Sequence, residues 1–149
     1  MAKATDLLKK DHETVEKLFG EYEKVSGSGS KEAQNVAEQI FVELQAHAQV
    51  EEELFYPALQ DADEKAVSLV AEALEEHKAA EGLMDQLAES SPGSEDYKAK
   101  MTTLMSSVRH HVEEEEKEVF PLAEKALGKR LDDIGRQIED RKKEVRKVA

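Results

Sequence analysis

Histidine stands on the apolar seam of four successive amphipathic segments, and this constrains the chain more than any other feature of its sequence. Breakers set the segments apart: Ser26-Gly-Ser-Gly-Ser30, Asp61-Ala-Asp63 following Pro57, Ser90-Ser-Pro-Gly-Ser94, and Gly128. They leave helices expected over residues 5–25, 31–60, 64–89 and 95–127, and a fifth over 129–147. Spacings of three and four trace each seam. The first is Leu8, His12, Val15, Phe19 and Tyr22, and the second is Ala37, Ile40, Leu44, His47, Glu51, Leu54 and Ala58. The third is Val67, Val70, Leu74, His77, Glu81, Met84 and Ala88, and the fourth is Met101, Leu104, Val108, His111, Glu115, Glu118 and Leu122. Short connections make neighbours antiparallel. The expected fold is therefore all-α, an up-down-up-down four-helix bundle over residues 1–127. Residues 128–149 form an additional C-terminal amphipathic helix, packed on the bundle or at an interface.

The seams carry a duplication. His47-Ala-Gln-Val-Glu51 runs on to Pro57, and His111-Val-Glu-Glu-Glu115 runs on to Pro121, with one offset between Glu and Pro. A single histidine precedes each, His12 by 35 residues and His77 by 34. Counting about 1.5 Å per residue from each turn puts all four histidines within about one helical turn of a single layer. Residues four apart on a helix share a face, so His47 and Glu51 reach one interior space, as do His111 and Glu115. Burying four imidazoles and two carboxylates together without a cation costs several kcal/mol, roughly. Six such donors exceed one tetrahedral ion. They suit two five- or six-coordinate ions, each with two histidines and sharing both carboxylates.

Composition excludes much else. The chain has no cysteine, so it forms no disulfide and no thiolate metal site. A net charge of −13 opposes nucleic-acid binding. No apolar run approaches the length of a membrane span. The first ten residues lack an apolar signal-peptide core, and the expected setting is the cytoplasm. No phosphate loop or nucleophile elbow is present.

His12, His47-x-x-x-Glu51, His77 and His111-x-x-x-Glu115, with Phe55-Tyr-Pro57 and Phe120-Pro121 trailing, resemble a hemerythrin-like (HHE cation-binding) domain over about residues 5–127. The resemblance implies two iron ions, oxo- or hydroxo-bridged, with His12, His47, His77 and His111 as terminal ligands and Glu51 and Glu115 as bridges. Iron, as against manganese or zinc, follows from the resemblance alone. Where oxygen-carrying hemerythrins have a fifth histidine in the third helix, this chain has Glu81, which is expected to be a ligand or near-ligand. Glu16 is its internal equivalent, at a seam position contested by Val15.

An anionic Glu81 at the centre would favour Fe(III) and disfavour reversible O2 release. The expected chemistry is thus peroxide turnover in an oxidative or nitrosative stress response, with O2, H2O2 or NO as ligand. The alternative is a non-enzymatic O2 or NO sensor, or an iron-binding or iron-transfer protein similar to the di-iron domain of iron–sulfur-cluster repair proteins. A metal-free structural bundle is the third reading. His110 is expected to be a surface or packing histidine, and Tyr22, Tyr56 and Phe19 to wall the site or pack the core rather than react; Tyr56 stands far round the helix from Glu51 unless Pro57 distorts that end. Residues Glu113–Glu118, apart from Glu115, read as a solvated face. Lys129–Lys147 has 8 Lys/Arg and 5 Asp/Glu. Its stripe is Leu131, Ile134, Ile138, Val145 and Val148. Intramolecular packing is the expectation for it, and a monomer or weak homodimer for the chain.

Overall fold

The structure, a computed structural model, describes residues 2–25 and 29–148, with side chains through Val145. Its elements are α1 (Ala4–Val25), α2 (Lys31–Val50), a first π turn (Glu51–Phe55) and α3 (Tyr56–Ala62). Then come α4 (Ala66–Ala88), α5 (Glu95–Glu114), a second π turn (Glu115–Val119), α6 (Phe120–Leu127) and α7 (Arg130–Val148). Each π turn joins two helices into one rod, so the four long rods of the bundle are α1, α2–α3, α4 and α5–α6. Ser30 and Ser94 cap α2 and α5, accepting from Ala33 N–H and Tyr97 N–H at 3.1 Å each. Ser26, Gly27 and Ser28 of the first breaker lie outside the described residues, as does the side chain of Val148.

The π turns lie where the prolines require them. Pro57 and Pro121 enter at the start of α3 and α6. A proline donates no hydrogen bond and crowds the carbonyl one turn earlier. The helix accommodates this with one residue more per turn, so that Tyr56 N–H donates to Glu51 C=O and Phe120 N–H to Glu115 C=O. Beyond each π turn the buried face moves by one residue. The expected seam Leu54, Ala58 is replaced by Phe55, Tyr56 and Leu59, and Glu118, Leu122 by Val119, Phe120 and Ala123. Glu118 is exposed.

The third seam is also rotated. Residues seven apart lie about 20° apart on a helix, so Val67, Leu74 and Glu81 form one stripe. That stripe is the flank of α4: Val67 is 50% and Leu74 37% exposed, and the buried face is Ala66, Val70, Ala73, His77, Met84 and Leu87.

Two apolar clusters fill the bundle. One, around Phe19, Ile40, Met101 and Leu104, lies toward the loops that precede α2 and α5. The other, around Phe55, Tyr56, Leu59 and Phe120, lies toward the π turns and includes Leu131, Ile134 and Ile138 of α7. The four histidines sit between them. Helix α7 packs on α1, α2, the first π turn and α6. Gly135 permits this approach, since a Cβ there would meet Ala2 C=O at 2.5 Å and Ala4 N at 3.0 Å, both backbone atoms. Gly135→Val is accordingly expected to lower stability by about 1–3 kcal/mol. An unchanged denaturation midpoint would show that α7 is not seated this way.

Candidate metal centre

His12 and His77 project from the middle of α1 and α4, while His47 and His111 lie one turn before the carboxylates that open the two π turns. All four imidazoles and both carboxylates are buried. Each histidine turns Nε2 inward. His12 Nε2 is 3.1 Å from Glu115 Oε1, and His77 Nε2 is 3.1 Å from Glu51 Oε1. His47 Nε2 lies 3.3 Å from Glu51 Oε1 and 3.8 Å from Glu115 Oε1. His111 Nε2 lies 3.5 Å from Glu115 Oε2 and 3.9 Å from Glu51 Oε1. Two donor groups result. His12, His47, Glu51 and Glu115 place ligand atoms within 4.8 Å of one another, and so do Glu51, His77 and His111. Glu51 belongs to both.

Every histidine is held from behind by a carboxylate. Nδ1 meets Glu116 at 2.7 Å for His12, Asp11 at 2.9 Å for His47, Glu52 at 2.7 Å for His77 and Glu76 at 2.6 Å for His111. The pattern repeats across the duplication. The residue before the first histidine of each half backs the second, and the residues after Glu51 and Glu115 each back the first histidine of the other half. An Nδ1–H donated to a carboxylate leaves the Nε2 lone pair facing inward, the form that ligates a cation. These four acids were missed in sequence. Their one signal was adjacency to the expected ligands, and Glu116 was read as part of a solvated run.

The donor set fits a cation. His47 Nε2, His111 Nε2 and Glu51 Oε2 are buried and have no hydrogen-bond partner within the protein. Each such atom costs about 1–3 kcal/mol, and all three face the same interior space. Charge in the metal-free protein is arranged to match. Burial opposes the charge on His47, but Glu51 and Asp11 outweigh it and hold the imidazole well above its ordinary value. Burial likewise opposes His111, yet Glu115 and Glu51 raise it to about 11. Burial pushes Glu51 up, and His47 with its neighbours pulls it well below the usual carboxylate range.

Tyr56, expected only to wall the site or pack the core, stands against both carboxylates. The π turn places it five residues after Glu51, with its hydroxyl donating to Glu51 Oε1 at 3.0 Å and contacting Glu115 Oε2. An uninterrupted α-helix would have turned it away. Its internal counterpart Phe120 stacks on His12 with ring centroids 5.6 Å apart, as Tyr56 packs on His77 at 5.6 Å. Burial and the two carboxylates drive the Tyr56 phenol far above its ordinary value, so it remains a proton donor in the metal-free chain. Tyr56→Phe, a shape already accommodated at Phe120, should preserve the fold and cost the metal-free protein about 1–3 kcal/mol by removing the one hydroxyl proton that lies between the two carboxylates. Thermal unfolding of the chelator-treated protein measures this; an unchanged midpoint would remove Tyr56 from the centre.

Glu81 is not brought into either donor group. It is exposed and stands at the rim of a small cavity above the histidines, on the flank of α4 shared with Val67 and Leu74. Glu16 is exposed and pairs with Arg109 at 2.9 Å, because Val15 takes the seam. His110 pairs with Glu114 at 3.1 Å on the surface. Phe19 and Tyr22 pack the core. The cavity measures about 50 Å³ and is walled by Val15, Leu44, Ala80, Met84 and Val108, with the imidazoles as its floor.

A four-helix rod bundle that buries a His/Glu cluster of this kind defines a cation-binding domain. The model of the Hemerythrin HHE cation binding domain matches residues 3–123, and the chain belongs to that family. A solved structure, the hemerythrin HHE cation binding domain-containing Rv2633c homolog from Mycobacterium kansasii, superposes with a TM-score of 0.84 at 24% identity. The match covers 99% of this chain and 90% of that one, and it shows the shared fold. A DNA nickase from Nostoc sp. (strain PCC 7120 / SAG 25.82 / UTEX 2576) is 30% identical over 118 residues, 77% of this chain. The chain spans only 32% of that relative's length. Among the described residues no helix is long and apolar enough to cross a membrane.

Proposed function

We propose that this protein holds a non-haem di-iron centre, oxo- or hydroxo-bridged, that turns over hydrogen peroxide in preference to carrying O2. The observation that carries the reading is the carboxylate behind each of the four histidines. Such partners raise the basicity of an imidazole ligand and add negative charge around the centre. That charge favours Fe(III) and opposes reversible O2 release. The sequence assigned this effect to Glu81; Asp11, Glu52, Glu76 and Glu116 supply it instead.

When bound, an iron pair supplies redox steps and a Lewis-acidic position for a small ligand. The protein's residues provide the rest. The imidazoles present Nε2; Glu51, common to both donor groups, and Glu115 would be the carboxylates shared between two ions. The apolar walls admit a small neutral molecule and disfavour ions; the cavity of about 50 Å³ suits O2, NO or H2O2. Tyr56 Oη holds its one proton between Glu51 and Glu115. Disproportionation of two peroxides to two waters and O2 needs no further reductant. The net charge of −13 repels a phosphate backbone, so DNA chemistry is no part of the reading.

Anaerobic iron loading should give about two irons per chain and, after oxidation, near-ultraviolet oxo-bridge absorption. Added peroxide should then release O2 catalytically. A stable, reversible oxy adduct in stopped-flow mixing of the reduced protein with O2 would overturn the preference for turnover. Two retained irons without O2 release would favour a sensor or iron-transfer role.

A further inference from the structure

Helix α7 lies beyond the matched family region, residues 3–123, yet it reaches the surroundings of the metal centre at two points. Lys142 pairs with Asp11 Oδ1, while Asp11 Oδ2 holds His47 Nδ1 at 2.9 Å. The contact is sheltered, with the Lys142 and Asp11 side chains 12% and 8% exposed. Arg141 grips Glu53, in the π turn that Glu51 opens, at 2.7 and 3.2 Å.

The internal duplication provides a built-in comparison. Glu76 is the counterpart of Asp11 and backs His111 at 2.6 Å, but among the described residues no lysine or arginine pairs with it. The counterpart of Glu53 is Lys117. Helix α7 packs along α1, α2 and the first π turn and also reaches α6, but its Lys142–Asp11 and Arg141–Glu53 pairs both fall on the first half. Tyr56 adds to the inequality. Its hydroxyl oxygen lies 3.5 Å from His77 Nε2, whereas Phe120 offers His12 only a ring face.

We propose that Lys142, acting through Asp11 and His47, makes the two cation positions unequal: the His12/His47 position binds its cation more weakly and is easier to reduce, and the His77/His111 position fills first. The physical basis is charge. A carboxylate behind an imidazole strengthens it as a donor. An ammonium on that carboxylate withdraws part of the effect and itself repels a cation nearby. Lys142 touches neither donor group and is a positioning residue. The inference rests on the dinuclear reading above.

Anaerobic Fe(II) titration against a competing chelator, with midpoint potentials read optically, tests it. The unsubstituted protein should take up two irons in separated steps. Lys142→Met should tighten the weaker step roughly tenfold, narrow the gap and lower the higher potential. Lys142→Arg keeps the charge and should keep the gap, and Lys143→Met, on the exposed side of α7, should alter neither step. In an Asp11→Asn background, Lys142→Met should have a much smaller effect. Equal responses to Lys142→Met and Lys142→Arg would mean packing alone and would overturn the inference. So would two coincident steps in the unsubstituted protein, or Lys142→Met moving both steps by one factor or neither. Uptake of fewer than two irons would overturn the dinuclear reading itself, and the inference with it.

Discussion

Glu51→Gln is expected to leave a folded protein that no longer holds two cations. Glu51 is completely buried and is the one residue common to both donor groups. Its Oε1 lies 3.3, 3.1 and 3.9 Å from Nε2 of His47, His77 and His111. An amide has nearly the same volume, so packing against the first π turn survives. It lacks the charge that offsets two dications, and its NH2 group turns a donor toward atoms that must themselves accept a cation. Loss of a partner merely behind a ligand already costs 10–100-fold in metal affinity, roughly. A shared ligand should cost at least about the upper figure. Metal analysis after anaerobic loading should fall from about two cations per chain to one or none. Two full equivalents in the variant would show that Glu51 is not shared.

Loading should also invert how stability depends on pH. In the metal-free protein His111 is raised from 6.5 to about 11, and His77 and His47 are raised as well. A raised imidazole stabilises the fold fully below 6.5, and the contribution disappears as pH climbs through the folded value. The lowered Glu51 and Glu115 act in the other direction, contributing above 4.5 and losing their effect as pH falls. The metal-free protein should therefore be most stable between 4.5 and 6.5 and weaken toward alkaline pH. Cations need the Nε2 lone pairs, so binding must expel those protons and strengthen as pH rises. At a free cation concentration 1,000-fold above Kd, each site contributes about 4 kcal/mol. For a domain of this size that raises Tm by roughly 8–16 °C. Melting curves of chelated and iron-loaded protein from about pH 5 to about pH 9 should diverge, with proton release on loading. Parallel curves without proton release would mean that the imidazoles do not ligate.

The bundle, its histidine layer and the two His-x-x-x-Glu pairs were legible in sequence because each depends on local period and spacing. The seam failed where a local rule met a proline. Ala58 and Leu122 gave way to Leu59 and Ala123 because the π turns add a residue, and Tyr56 entered the centre for the same reason. Glu81, expected as a ligand or near-ligand, lies outside both donor groups and at the cavity rim for a different reason. It shares with Glu51 a position four residues after a histidine, but α4 is rotated so that this stripe faces outward beside Val67 and Leu74. Apolar residues at seven-residue spacing mark a stripe without saying whether it is the middle or the edge of the buried arc.

By itself, then, the sequence determined which donors exist and that four helices carry them to one level, since helical rise and the 3.6-residue period are properties of the backbone. Only the tertiary structure decided which acids stand behind the histidines, that Tyr56 joins them and Glu81 does not, and that Lys142 reaches one half alone. Those outcomes depend on how far each helix is rotated and on which surface α7 covers. Rotation and docking are set by packing between distant segments, which no spacing within one segment encodes.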